Sequence, residues 1–233
     1  MCIFFCVLVC FIILLVKKIQ QERNKRFSMY VINLKRSADR KENFEKYRSQ
    51  VVNHHRWHCE FVDAVDAGRM ENTRLFKKWP GMTQSKTHNN YKALQLSVVK
   101  CLKRAQQNES VEWAVVCEDD AELPKDLDFN QIVRTYPDSK VIYLDSRNPK
   151  GDGVVPGCCM NGVMYHRSVF DAFIKELHPD TSEFLTKYVK EQKRHALNDW
   201  YIHWLIRTKR VPTKCSSHPI VRGHNFKSTV SIK

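Results

Sequence analysis

Three consecutive acidic residues, Glu118, Asp119 and Asp120, directly follow an apolar segment that ends at Cys117. Carboxylates so close together repel one another unless a cation or several hydrogen-bond donors compensate their charge. Oxygen ligands of this type suit Mg²⁺ or Mn²⁺, and such an ion bridges two phosphates and neutralises the charge of a departing diphosphate. A solvated turn or the first turn of a helix would explain the same triplet without a metal. The triplet is therefore a candidate divalent-cation site, with a structural role as the alternative.

Charged side chains also follow the first two predicted strands. Arg36 and Arg40 lie shortly after Asn33, next to a helix that opens at Ser37. Basic side chains and a helix N-terminus together bind a phosphate or a carboxylate, although a solvated basic face has the same composition. Asp66 follows the second strand, where an acid accepts hydrogen bonds from a ribose or a base, or simply stabilises a turn.

The elements that must position these residues alternate between strands and helices. Apolar, β-branched runs predict strands at 29–34, 57–62, 112–117, 141–144 and 162–166. Amphipathic patterns predict helices from 37 onward and at 87–107, 126–136, 168–177 and 198–208. This order predicts an α/β domain with a largely parallel sheet. Ligands of such sheets bind beyond the carboxyl ends of the strands, where the residues above are expected to lie.

An ordered set of short motifs resembles glycosyltransferase family 25, which includes lipopolysaccharide glycosyltransferases and procollagen galactosyltransferases. The resemblance covers most of residues 28–230, and its motifs are Tyr30–Arg40, Ala64–Ala67, Thr87–His88, Val115–Ala121, Gly162–Tyr165, Asn198–Trp200, Pro219–Val221 and Ser228–Thr229. The sequence departs from the family's pattern at Lys86, where an apolar residue is customary, and over residues 68–86, which lack the usual Gly- and Glu-containing pattern.

The resemblance implies a GT-A-like nucleotide-sugar-binding α/β fold with a mostly parallel central sheet. It implies a metal-dependent inverting transferase that moves a hexose, such as galactose, from a UDP-sugar donor. Mn²⁺, or Mg²⁺, is the implied cofactor. The implied acceptor is a glycan, a glycoprotein or a glycolipid, and no nucleic-acid partner is expected.

The resemblance also implies roles for individual side chains near the acidic triplet. Glu118 and Asp120 match the D-x-D spacing of this fold and are the expected metal ligands. A C-terminal histidine often supplies a third ligand in such enzymes, which makes His224 the candidate, with His218 as the alternative. The expected donor-binding residues are Asn33, Arg36, Arg40, Asp66, His88 and Asp119.

Two further residues receive roles on the acceptor side. Asp199 is the candidate base for the acceptor hydroxyl, and a helix N-cap is the structural alternative for an Asp at that position. Tyr165 is the candidate acceptor contact, and burial in the core is the alternative. A lone histidine such as His88 is also frequently structural.

The N-terminal run Met1–Val16 carries no charge and would span about 24 Å as a helix. We expect a membrane anchor at 1–16, a basic linker at 17–27 and a catalytic domain at 28–233, and therefore a single-pass membrane protein. The basic cluster after the apolar run favours a cytoplasmic domain, whereas the family resemblance favours a lumenal one. The side of the membrane stays open at this stage.

The chain has 39 basic and 25 acidic residues, a formal charge of +14 that attracts polyanions. One alternative function is therefore a metal-dependent nuclease or phosphoesterase. The chain carries a single acidic cluster and no His-rich metal motif, which counts against this alternative. A non-catalytic, membrane-tethered glycan-binding protein is the other alternative, and the intact acidic triplet favours an enzyme over it.

Overall fold

A computed structural model of the chain describes residues 11–12, 26–69, 74–79, 86–145, 162–192 and 198–222. The strands are β1 (Phe27–Asn33), β2 (His58–Asp63), β3 (Trp113–Glu118), β4 (Ala121–Glu122), β5 (Val141–Asp145), β6 (Gly162–His166) and β7 (Thr213–Arg222). The helices are α1 (Ala38–Gln50), α2 (Lys86–Gln107), α3 (Phe129–Thr135), α4 (Phe170–Leu177), α5 (Leu185–Gln192) and α6 (Asn198–Thr208), with a 3₁₀ turn at His54–Arg56 and another at Arg167–Val169.

The strands form one mixed sheet in the order β2-β1-β3-β6-β5-β7-β4. Strand β1 pairs in parallel with β2 and β3, β5 pairs in parallel with β7, and β6 runs antiparallel between β3 and β5. Five strands therefore run in one direction, and β4 and β6 run in the other. The expectation of a mostly parallel sheet is confirmed in this mixed form.

Alternating side chains of the central strands build two cores, one on each face of the sheet. In β3, Ala114 and Val116 pack with α2, α4 and α6, while Trp113, Val115 and Cys117 pack with α1 and α3. All seven residues of β1 are buried, as expected of a strand that is covered on both faces. The sheet is thus a rigid central layer whose carboxyl edge carries the polar residues.

The parallel register brings those residues to one edge. Asn33 lies opposite Asp63 of β2, and Ile32 lies opposite Glu118 of β3. The ends of β1, β2 and β3 are therefore neighbours, although the corresponding residues are far apart in the chain.

Most predicted elements are present within a few residues of their expected bounds, whereas α5, β4 and β7 were not predicted. Strand β7 contains Pro219 and a polar first half, a composition that does not indicate a strand. The expected anchor lies outside the described residues except for Phe11 and Ile12. In the described part of the chain, no helix is both long enough and apolar enough to cross a bilayer.

Candidate functional site

A cavity of about 530 Å³ opens at the carboxyl edge of β1, β2 and β3, against the first half of α2. Its wall is apolar where Leu34, Val65 and Leu94 contribute, and polar towards Asp66 and Glu118. Its other lining residues are Ile32, Arg36, Arg40, Ala64, Ala67, Gly68, Asn89, Asn90, Ala93, Ser97 and Asp119. A partly apolar pocket with a few polar groups in its lining is the usual form of a small-molecule site.

Asp119 is fixed by two side chains that are distant in the sequence but lie at the same edge of the sheet. Arg40 Nη1 donates to Asp119 Oδ1 at 2.9 Å, and Asn33 Nδ2 donates to Oδ2 at 2.8 Å. Asn33 Nδ2 is also 3.1 Å from the Ser37 carbonyl oxygen. All three side chains of this network are buried: Asn33 and Arg40 are each 8% exposed and Asp119 is 6% exposed. Burial raises the pKa of Asp119 more than Arg40 and Asn33 lower it.

Glu118 and Asp120 lie in different surroundings from Asp119. Glu118 is half-buried and lines the cavity, whereas Asp120 is 3% exposed, with its Oδ2 4.0 Å from Arg40 Nη1. Strand β4 begins directly after Asp120 and pairs with the end of β7, so that Ala121 lies opposite Arg222. His224 follows Arg222 by two residues, a reach of at most about 7 Å of chain.

Glu118 and Asp120 fit a divalent cation by chemistry, because each offers hard carboxylate oxygens. Asp119 fits less well, since both of its oxygens already accept hydrogen bonds from Arg40 and Asn33. Within the described ranges, no group of three or more His, Cys, Asp or Glu side chains is arranged to hold a metal. The described residues thus supply at most two of the expected ligands.

The loop after β2 forms the opposite wall of the cavity. The Gly68 N–H donates to Asp66 Oδ1 at 2.9 Å, and the Arg36 guanidinium pairs with Oδ2. A methyl group on residue 68 would stand 3.3 Å from that Oδ1, so glycine permits the close approach. Burial raises the pKa of Asp66, but the Gly68 N–H and Arg36 outweigh it and hold the pKa below its usual range. Asp66 is therefore an ionised acceptor at neutral pH.

Ser97 of α2 holds this loop in place and was not singled out by sequence. Its Oγ accepts the Val65 N–H at 2.8 Å and donates to the Ala93 carbonyl oxygen at 2.7 Å. Ser97 is 1% exposed and lines the cavity. In the sequence, Ser97 is distinguished only as a serine on the otherwise apolar face of a long helix. That position does not identify the Val65 N–H as its partner.

Five predicted site residues line the cavity, Arg36, Arg40, Asp66, Glu118 and Asp119, whereas Asn33 and Asp120 lie beside lining residues without lining it themselves. His88 is half-buried near the start of α2 and is absent from the cavity lining. Tyr165 is 0% exposed and packs edge-on against Phe173, with ring centroids 5.1 Å apart, which is the position of a core residue. Asp199 lies in the first turn of α6, but its side chain is outside the described part, as is all of His224.

Solved structures that align with the chain include proteins described as glycosyltransferases. A glycosyltransferase involved in glycosylation of the major capsid of PBCV-1 aligns at a TM-score of 0.44 and 11% identity, covering 86% of this chain and 94% of that one. Apo mouse xyloside xylosyltransferase 1 aligns at a TM-score of 0.46 and 10% identity, covering 82% and 84% respectively. A197 from STIV aligns at 0.43 and 11% identity, covering 89% and 98%.

No curated protein matches the chain by sequence. The family model described as glycosyltransferase family 25 (LPS biosynthesis protein) matches residues 27–148, which is more than half of the 233 residues. This range runs from β1 through β5 and contains every cavity-lining residue. The chain therefore belongs to glycosyltransferase family 25 and is a transferase enzyme.

Proposed function

We propose that the protein is a metal-dependent, inverting hexosyltransferase that uses a UDP-sugar and transfers to a glycan on a protein or a lipid. The observation that carries the proposal is the cavity at the ends of β1, β2 and β3, with an ionised Asp66 on one wall and Glu118 on the other. An apolar pocket between two acidic rims is suited to a nucleoside whose base is buried and whose hydroxyls face carboxylates.

The donor would be held by residues on both sides of the cavity. Asp66 accepts hydrogen bonds from ribose hydroxyls, and Arg36, which is 62% exposed at its side chain, has the reach and charge to meet a phosphate. Val65 and Leu94 supply apolar surface for the base. These contacts would orient the donor with its diphosphate towards the acidic triplet.

Glu118 and Asp120 would hold Mn²⁺ or Mg²⁺, and we assign the third position to His224. When bound, the ion neutralises the charge that develops on the departing diphosphate. The proposal is supported by the placement of Ala121 beside Arg222, which brings the triplet and the end of β7 together. Asp199, at the start of α6, is our candidate for the base that takes the acceptor hydroxyl proton.

The first test is transfer or hydrolysis with a panel of nucleotide-sugars, with Mn²⁺, with Mg²⁺ and with chelator. Activity with at least one UDP-sugar, lost on chelation, is the expected result. Asp120→Asn should abolish turnover and leave the melting temperature within a few degrees of the parent. Asp126→Asn is the matched control, because Asp126 is an exposed acid on the turn that follows the triplet. No turnover of any nucleotide-sugar in the presence of either ion would refute the proposal.

Membrane attachment through residues 1–16 is part of the same proposal, supported by the uncharged N-terminal run. We propose no side of the membrane. Protease protection of the catalytic domain in sealed membranes would decide between the two orientations, and release of the full chain by high salt alone would contradict an anchor.

A further inference from the structure

We propose that Arg40, Asn33 and Asp119 form a buried brace that positions the acidic triplet, and that none of the three contacts donor or metal. This inference rests on the proposed function only in naming Glu118 and Asp120 as the residues that do make those contacts. It reverses the expectation from sequence, which placed all three side chains of the brace among the donor contacts.

The geometry of Asp119 supports the positioning role. Its two oxygens accept from two different elements, Arg40 of α1 at 2.9 Å and Asn33 at the end of β1 at 2.8 Å. Asp119 and Arg40 reach the cavity wall, but a ligand there would have to compete with the two protein donors that already hold the Asp119 carboxylate. A carboxylate held at both oxygens by protein donors fixes its own backbone, and therefore the backbone of the residues on either side.

The charge balance supports the role of Arg40. The triplet places three carboxylates on consecutive residues, and two of them are nearly buried. Arg40 Nη1 is 2.9 Å from Asp119 and 4.0 Å from Asp120, so one guanidinium compensates both buried acids. An internal cation of this kind lets the triplet adopt its bound arrangement before a metal arrives.

Helix α1 is thereby coupled to the acidic edge. Arg40 lies in the first turn of α1, and Asn33 also contacts the Ser37 carbonyl that precedes the helix. The loop between β1 and α1 and the end of β3 are locked to each other across 79 to 86 residues of sequence. The brace therefore defines where Glu118 and Asp120 stand relative to the cavity.

The experiment is a charge-balanced double-mutant cycle with Arg40→Met, Asp119→Asn and the two combined. Arg40→Met removes the cation beside two buried carboxylates and should be the least stable of the three by thermal denaturation. The combined variant removes both charges and should be more stable than Arg40→Met alone. Arg48→Met is the matched control on the same helix, where the arginine pairs with Glu45 on the half-exposed side.

Two binding measurements distinguish a positioning role from direct contact with a ligand. Mn²⁺ binding is measured by electron paramagnetic resonance without substrate, and UDP binding is measured by calorimetry. We expect Arg40→Met to weaken Mn²⁺ binding at least tenfold, and the combined variant to recover to within about threefold of the parent. Arg40→Lys should retain more Mn²⁺ affinity than Arg40→Met, because it keeps the positive charge.

A combined variant that regains stability but still binds Mn²⁺ or UDP as poorly as Arg40→Met would overturn the proposal, since Arg40 or Asp119 would then be a direct contact. Equal stability of Arg40→Met and the combined variant would overturn it as well. A parent protein that binds neither Mn²⁺ nor UDP would refute the proposed function instead, and the stability cycle would still report on the brace.

Discussion

Replacing Ser97 by alanine should loosen the loop after β2 and weaken donor binding. The substitution removes the acceptor of the Val65 N–H, which lies 2.8 Å from the Ser97 Oγ. It also removes a hydroxyl that donates to the Ala93 carbonyl oxygen, but that oxygen keeps its helical position and loses little. The main cost is therefore one part-buried amide without its partner, for which the cost of a fully buried amide is the upper bound.

The expected magnitude follows from that amide. An unsatisfied buried N–H costs about 1–3 kcal/mol of unfolding free energy. For a domain of this size, each kcal/mol lowers the melting temperature by about 2–4 °C, so Ser97→Ala should melt about 2–12 °C lower. Because the loop carries Asp66, we expect KM for the donor to rise several-fold with a smaller change in kcat.

Hydrogen exchange provides the local readout. The Val65 amide should exchange faster in Ser97→Ala, while the amides of β3 keep their protection. The control is Ser49→Ala, since the Ser49 Oγ also donates to a helical carbonyl, that of Lys46 at 2.9 Å, but on the exposed side of α1. A melting temperature equal to that of Ser49→Ala, together with unchanged exchange at Val65, would refute the role assigned to Ser97.

Three further predictions concern the Cys59 thiol and the loop that contains Asp66. Burial raises the pKa of Cys59 to about 12. Its thiol should therefore resist iodoacetamide at pH 8 in the folded protein and react after unfolding. Peptide mapping by mass spectrometry measures the labelling, and rapid labelling of the folded chain would contradict the prediction. Gly68→Ala should raise the donor KM, because the new methyl carbon stands 3.3 Å from Asp66 Oδ1 and must displace the carboxylate or the loop; an unchanged KM would show that the loop adjusts freely. The pKa of Asp66 is lower in the folded state than its ordinary value of 3.8, so protonation favours the unfolded chain. The difference in unfolding free energy between the parent and Asp66→Asn should therefore stay constant above pH 3.8 and disappear only as the pH falls through the lower folded pKa. Urea denaturation at a series of pH values measures this difference. A difference that already disappears near neutral pH would contradict the lowered pKa of Asp66.

Sequence patterns predicted the frame of the site because hydrophobic runs are local signals. The runs in β1 and β3 are apolar on both faces, and that pattern alone indicates strands that are covered on both sides. Once two such strands are parallel neighbours, the residues that follow them must share an edge. The convergence of Asn33 and Glu118 was accordingly predictable without knowing any contact between side chains.

The side-chain partners of the acidic residues were not predictable in the same way. The D-x-D spacing already separated Asp119 from Glu118 and Asp120, but it did not indicate the partners of Asp119, which are 79 and 86 residues away in the chain. The same holds for Tyr165, which is polar at its tip and 0% exposed because its ring fills the core beside Phe173. These assignments depend on which elements pack together, and only the folded chain contains that information.

The consequence for catalysis is that the two walls of the cavity are held by different means. The wall formed by β1, α1 and β3 is fixed by buried charges, Arg40 against Asp119, and moves only at a large electrostatic cost. The wall formed by the loop after β2 depends on one neutral hydrogen bond, from the Val65 N–H to Ser97 Oγ, and on the partly exposed pair of Arg36 and Asp66. In the proposed function, an acidic wall held in this way would keep its charges where the diphosphate leaves, and such preorganisation lowers a reaction barrier. The loop after β2 would then contact the part of the donor that does not react.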